Sequence, residues 1–399
     1  MIDLALAYLR DRAATTVLNI VLLATAVAML VLLLIVSAQL GDRFARDARG
    51  IDLVVGAKGS PLQLILSSIY HIDSPTGNVP LANLASLRRD PGVARAIPLA
   101  LGDNFRGFRI VGTELAYLTL KEATLAHGQP WRRPGETVIG AEVARRTGAK
   151  LGQRFLGSHG LEEGEAHEAH PFVVTGILSP TGGVIDRLIL TSLETVWDVH
   201  DIAHAAESKH DEAAAAMTPE VTAILVTYRN AAAAVRLPAS IDRQTAMQAA
   251  VPAVETGRLL SLFGSAIDGA RVFGWLLAAN GALAIFVALL NAASAREGDL
   301  ALLRVMGATP ENVFGTLLLE GVITAAAAGL LGAFLAHALL FVAVRSFTTL
   351  DDLGFAALAP APGEFALLFA VAALGAIAAL LPAARVFRVD LATTLSRTS

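Results

Sequence analysis

Histidine and glutamate are the residues in this chain whose clustering suggests chemistry. Six of the nine histidines fall between His159 and His210. His159, His167 and His170 alternate there with Glu162, Glu163, Glu165 and Glu168, while His200, His204 and Glu207 occupy one face of a predicted helix. Two imidazoles at i, i+4 with a carboxylate nearby suit zinc, so His167, His170, His200, His204 and Glu207 are candidate metal ligands. A solvated His/Glu loop is the other reading of the same residues. His167-Glu-Ala-His170 is one residue too short for the zinc-protease motif, so peptidase chemistry has no footing. Gly56-Ala-Lys58-Gly-Ser60 resembles a phosphate loop only superficially, because that motif places four residues between its glycines and Lys after the second. It is expected to be a turn. No nucleophile with a base beside it appears, and the chain is not expected to be an enzyme.

The elements that must position these residues are set by four apolar runs: Val17 to Ala38, Val272 to Leu290, Val322 to Val344 and Phe365 to Ala384. Each matches the roughly 20 helical residues that a hydrocarbon core of about 30 Å requires. Four transmembrane helices are therefore predicted. The first run is longer than the apolar core of a signal peptide, so it is expected to stay as a span. Arg10 and Arg12 precede the first run, Arg296 and Arg304 lie between the second and third, and Arg385, Arg388 and Arg397 follow the fourth. By the positive-inside bias both termini are expected in the cytoplasm, with the long segment between the first and second runs outside.

Composition agrees with a membrane chain: 54% hydrophobic residues, 17% charged and a mean hydropathy of +0.58. A net charge of −4 is too small to imply a nucleic-acid partner, and none is expected. With no cysteine, the outer domain must be held by burial alone. Ile51 to Gly56, Thr137 to Gly140, Phe172 to Leu178, Arg187 to Thr191 and Val221 to Tyr228 read as strands, and Ala141 to Thr147 as a short helix stopped by Gly148. The fold class is thus membrane α-helical, four transmembrane helices with an α+β extracytoplasmic domain inserted between helices 1 and 2. Gly41 to Gly50 is expected to extend the first helix as a stalk, and Ala231 to Ala270 to form one helix leading into the second span. The divisions are 1–40, 41–270 and 271–399.

Between the second and third spans, Glu297 to Val305 places Leu300, Leu303 and Arg304 on one helical face, with Asp299 near the start and Gly307 as a stop. Such a cytoplasmic helix either rests its leucines on lipid or serves as a lever for a soluble partner. In the third span Gly329, Gly332 and Ala336 allow close helix approach, within one subunit or between two. Glu320 near the cytoplasmic end is expected to snorkel to the interface, and His337 to be a hydrogen-bonded packing residue.

Ala295-Arg-Glu-Gly-Asp-Leu-Ala-Leu-Leu-Arg-Val-Met-Gly-Ala308, followed by Thr309-Pro-Glu-Asn-Val313 and Glu320-Gly321, strongly resembles the FtsX/MacB-type permease subunits of ABC transporters. Gly140-Ala-Glu-Val-Ala144 and Pro180-Thr-Gly-Gly-Val-Ile-Asp-Arg187 resemble the periplasmic core domain of that superfamily. The resemblance implies that 297–306 is a coupling helix, with Glu297, Asp299, Leu300, Leu303, Arg304, Met306 and Gly307 as contact residues. It implies a bacterial inner-membrane permease that dimerises, pairs with a separate ATPase carrying the ATP and Mg, and passes the ATPase's motion to the periplasmic domain. Export or extraction of a hydrophobic, peptide or lipoprotein substrate is the expected use, with a periplasmic adaptor or delivery protein as a further partner. Zinc-linked transport and control of a cell-wall hydrolase or sensor kinase are the alternatives. The absence of cysteine makes topology directly testable. Ser60→Cys and Ser192→Cys should react with an impermeant maleimide applied to intact cells and Thr309→Cys should not; labelling of Thr309→Cys alone would reverse the orientation.

Overall fold

The computed structural model describes residues 2–159, 171–199, 219–295, 305–347 and 355–384. It divides into two compact units, one of residues 1–41 and 262–399, the other of residues 42–261.

In the first unit four helices are long and apolar enough to cross a membrane: Ala13–Asp47, Pro252–Ala295, Pro310–Ser346 and Glu364–Ala384. The first two extend beyond this unit into the second. In lipid a helix is favoured because it satisfies its own backbone hydrogen bonds, and association there relies on close packing rather than on the hydrophobic effect. Small residues mark the crossings. A Cβ on Gly281 would lie 3.1 Å from Leu23 Cβ, one on Gly332 2.6 Å from Val27 Cβ, and one on Gly321 2.6 Å from Ala379 Cβ. Gly332 therefore packs against the first long helix of the same chain. Gly329 is looser, 3.5 Å from the nearest atom of Leu368.

The second unit is a mixed α/β domain. Its strands are β1 Leu53–Ala57, β2 Val79–Pro80, β3 Val93–Phe105, β4 Phe108–Thr113, β5 Leu125–Gly128, β6 Glu136–Ile139 and β7 Arg154–Phe155. They continue with β8 Ser158–His159, β9 Phe172–Leu178, β10 Leu188–Thr191, β11 Glu220–Val221, β12 Ala223–Tyr228 and β13 Met247–Ala250. Among the described residues one sheet runs β13-β1-β12-β3-β4-β10-β6-β9-β5, with β7 on β9 and β8 on β3; β2 and β11 form a separate pair. Most pairings are antiparallel, while β10–β4 and β6–β9 are parallel.

Alternation along the strands divides two cores. Val54, Ile97, Leu99 and Leu225 face one layer, covered by Leu64 and Ile65 of the Pro61–Ser68 helix together with Tyr70 and Tyr117. Leu53, Val55, Ile224 and Val226 face the other, covered by Leu84 and Leu87 of Ala82–Arg89 and by Ala233, Leu237 and Ile241 of Ala231–Gln244. Phe172–Leu178 and Ala141–Thr147 form as expected, the latter closed by Gly148 in the left-handed conformation at φ 68°.

The single helix expected over Ala231 to Ala270 does not form. It breaks into Ala231–Gln244, strand β13 and Pro252–Ala295. The Asp242 carboxylate accepts from Ala249 N (2.7 Å) and Gln248 Nε2 (3.0 Å), which turns the chain so that β13 completes the sheet beside β1. Edge pairing overrides the helical propensity of the alanines. Gly56 to Ser60 is the expected turn: Ser60 caps the Pro61–Ser68 helix, and Lys58 donates to Asp242 O at 2.7 Å.

The glycine geometry gives a stability test. Gly332→Ala should cost about 1–3 kcal/mol through overpacking, while Gly329→Ala is tolerated. Thermal midpoints of the two variants in detergent decide it, and equal midpoints would remove Gly332 as a crossing point.

Candidate functional site

The described residues place the sequence candidates unevenly. Glu297, Asp299, Leu300, Leu303 and Arg304 lie outside them, as do His167, His170, His200, His204 and Glu207. Met306 is 78% exposed and Val305 64%. Gly307, at φ 102°, makes the turn into the next helix, whose N-cap Thr309 accepts from Asn312 N. The segment thus presents two large apolar side chains to the surroundings directly before a capped helix start. Among the described residues no group of three metal-ligating side chains comes together.

Glu320 departs from the snorkelling expectation. It is 3% exposed and lines a small cavity of about 40 Å³ with Tyr8, Arg12, Asn19 and Thr324. Thr324 donates to the Glu320 carbonyl at 2.7 Å. Ala336 is buried. His337 is a packing residue, with Nδ1 2.6 Å from Ala357 O and Nε2 3.1 Å from Glu364 Oε1. Because a carbonyl can only accept, Nδ1 carries the proton. Gln39 bonds both backbone groups of Ala356, at 3.0 and 2.9 Å, so the chain before the last helix is held from two sides.

The site that sequence reasoning missed lies in the α/β unit, where the ends of two long helices are tied together. Tyr70 follows the Pro61–Ser68 helix, and its hydroxyl lies 2.9 Å from Thr256 Oγ1 and 3.3 Å from Phe44 O, to which it donates. Phe44 belongs to Ala13–Asp47 and Thr256 to Pro252–Ala295. The rings of Phe44 and Tyr70 meet edge to face with centroids 4.8 Å apart. One buried phenol, its ionisation pushed upward by burial, bridges both helices. The end of the first helix is fastened further: Arg46 donates to Gly182 O at 3.0 Å, and Val184 N donates to the Asp47 carboxylate at 2.8 Å. Lys121 donates to the Asp47 carbonyl, capping the negative helix end with a cation. The Thr181-Gly-Gly183 turn that receives these contacts is itself held by Asp186, which accepts from the amides of Thr181 (2.9 Å) and Gly182 (2.7 Å). Of this set the sequence marked Pro180 to Arg187, and Gly41 to Gly50 as an extension of the first helix, which carries Phe44, Arg46 and Asp47. Tyr70 carried no signal, since a lone tyrosine after an apolar stretch reads as core.

Beside Tyr70, His71 stands at φ 54° with both ring nitrogens buried and without partners among the described residues. Burial holds its pKa well below the usual imidazole value, with the Arg109 and Lys121 cations acting the same way. Burial also lowers Lys121 to about 8, against a smaller opposing pull from Asp47.

Known proteins resemble the chain over two successive stretches. Residues 16–253 match the model of the MacB-like periplasmic core domain, and residues 271–391 that of the FtsX-like permease C-terminal region. The chain belongs to the FtsX/MacB-type ABC transporter permeases. Among solved structures it is similar to the periplasmic region of MacB from Actinobacillus actinomycetemcomitans, at 12% identity and a TM-score of 0.35, covering 53% of this chain and 95% of that one. It is also similar to the extracellular domain of the noncanonic ABC-type transporter YknZ from Gram-positive bacteria, at 13% identity and a TM-score of 0.30, covering 50% and 98%. No curated protein sequence matches it.

A pH dependence follows for this permease from His71. The depressed group is neutral when folded, so its contribution is complete above the unfolded value of about 6.5 and is lost as pH falls below it. Lys121 loses its contribution between about 10.5 and about 8 and is constant below that. Between pH 6 and 5, hydrogen-exchange protection of β3 and β12 in the full chain should fall more steeply in the wild type than in His71→Asn, which also suits the left-handed backbone. Parallel slopes would remove His71 as the titrating group.

Proposed function

We propose that this permease is the membrane subunit of a bacterial inner-membrane ABC transporter and acts as a transmitter of force. Both termini lie in the cytoplasm, and the α/β domain lies outside between the first two spans. A separate ATPase, holding the ATP and Mg, docks on the 297–306 segment, where Glu297, Asp299, Leu300, Leu303, Arg304, Met306 and Gly307 receive it. Two permease copies and two ATPases make the working unit. The substrate is a hydrophobic, peptide or lipoprotein species that is exported or extracted with the help of a periplasmic partner.

The observation that supports this reading best is the length and fastening of two helices. Ala13–Asp47 has 35 residues and Pro252–Ala295 has 44, where about 20 span a bilayer. A continuous helix resists bending because each turn is hydrogen-bonded to the next, so displacement at one end reaches the other. Tyr70 makes the two ends respond together. Family membership supports the ATPase partner independently.

The test is reconstitution of the chain with its ATPase in nanodiscs, with a spin label on Ser86→Cys reporting the α/β domain. ATP should shift the label's distance distribution between the two copies. Glu297→Lys with Arg304→Glu should abolish both this shift and the stimulation of ATP hydrolysis. Tyr70→Phe, which removes hydrogen bonds worth about 1 kcal/mol each, should leave hydrolysis and blunt the shift. An ATP response that is absent in the wild type, or unchanged in all variants, would refute the transmitter.

A further inference from the structure

Within the α/β unit, a cavity of about 260 Å³ opens beside the fastened end of the Ala13–Asp47 helix. Arg46, Arg49 and Lys121 line it, with the hydroxyl residues Thr124 and Ser179 and the carboxylates of Asp47 and Glu122. The acids offset the bases only in part, since three cations face two carboxylates, and Asp47, which attracts both Lys121 and Arg46, is already engaged elsewhere. Asp47 is turned to the Val184 amide at 2.8 Å and to Arg43 at 3.9 Å, and Glu122 is an exposed residue. The cations retain unused donors. Lys121 spends one ammonium hydrogen on the Asp47 carbonyl and makes no carboxylate bond among the described residues. Its ammonium lies 5.8 Å from the Tyr117 ring centroid. Arg46 spends one donor on Gly182 O, and Arg49 has no partner among the described residues.

Thr124 and Ser179 are brought together by the bond from Ser179 N to Thr124 O at 2.8 Å, and neither hydroxyl has a partner among the described residues. The neighbouring amides of Thr181, Gly182, Gly183 and Val184 are taken by side chains, so the donors on offer are charged and hydroxyl groups. Asp47 offsets only part of the cost of withdrawing the Lys121 ammonium from water, and a bound anion would offset more of it. Set against about 30 Å³ for a water, the space admits a phosphate bearing a glycerol-sized substituent.

We propose that this cavity is a binding site for a phosphate ester, with the Arg46 and Arg49 guanidiniums and the Lys121 ammonium gripping its oxygens and the Thr124 and Ser179 hydroxyls as further donors. Planar guanidiniums suit the paired oxygens of such a group. Arg46 in the last turn of the helix that carries the first apolar run, and Arg49 just past the end of that helix, continue the chain out of that run, which makes a glycerophospholipid headgroup one source and a soluble phosphate ester the other. Binding of either raises the Lys121 pKa from about 8, so affinity falls as pH rises above that value.

The full-length protein in detergent and phosphate-free buffer provides the test, with sn-glycerol 3-phosphate as the probe in titration calorimetry. Saturable binding is expected, weakened about tenfold or more by Arg49→Glu. Arg49 is exposed and has no partner among the described residues, so the thermal midpoint of that variant should match the wild type and exclude misfolding. In parallel, nanodiscs of equal phosphatidylglycerol and phosphatidylcholine are analysed by native mass spectrometry for retained lipid. Arg49-dependent retention of phosphatidylglycerol assigns the site to the headgroup, and Arg49-dependent binding of the soluble ester alone assigns it to a free ligand. No saturable binding of either probe up to about 10 mM, or binding that Arg49→Glu leaves intact, overturns the proposal.

Discussion

Lipid offers no partner to a peptide N–H or C=O, so a chain that enters it is driven to pair its own backbone, and a helix does this without help from any neighbour. That self-sufficiency does not have to stop where the lipid does. In this permease the 35-residue and 44-residue helices continue into a sheet domain, and their ends there share one hydroxyl, that of Tyr70. The remaining structure depends on this continuity, because neither helix can shift at that end without disturbing the Tyr70 bond or the Asp47 and Arg46 contacts to the Thr181–Val184 turn.

The two units solve the packing problem with different forces. In the α/β domain, water drives apolar surface together, and the sheet sorts alternate residues of β1, β3 and β12 into two cores with covering helices. In the helical unit the surroundings are as apolar as the side chains, so attraction comes from approach distance. Gly281, Gly321 and Gly332 are therefore where the helices meet, and larger residues point away: Leu330, Phe334, Phe369 and Leu381 are all strongly exposed.

Polar groups inside each unit are arranged around the same economy of donors. His337 and Glu364 hold the start of the last helix, and Asp186 gathers the amides of a glycine-rich turn. His71, with both nitrogens buried and unpaired among the described residues, departs from this pattern beside the tyrosine that joins the helices. A buried imidazole in that position makes the domain's stability sensitive to acid at the place where the two helix ends are joined.

Much of this was readable from residue order. Apolar runs long enough to cross a bilayer marked all four long helices, a short apolar run closed by a turn marked Phe172–Leu178, and Gly148 marked the end of Ala141–Thr147, because each depends on local composition or on one backbone conformation. The motif around Ala295 to Ala308 identified the family. What order along the chain could not supply were contacts made across it. Strand β13 emerges from an alanine-rich stretch only because Asp242 and the edge of β1 are there to receive it. Glu320 is enclosed rather than exposed because neighbouring helices surround it. Tyr70 becomes a bridge because residues 44 and 256, far apart in the chain, arrive on either side of its hydroxyl. Local propensity is a property of a few neighbouring residues, whereas pairing, enclosure and shared hydrogen bonds exist only once distant segments occupy the same space.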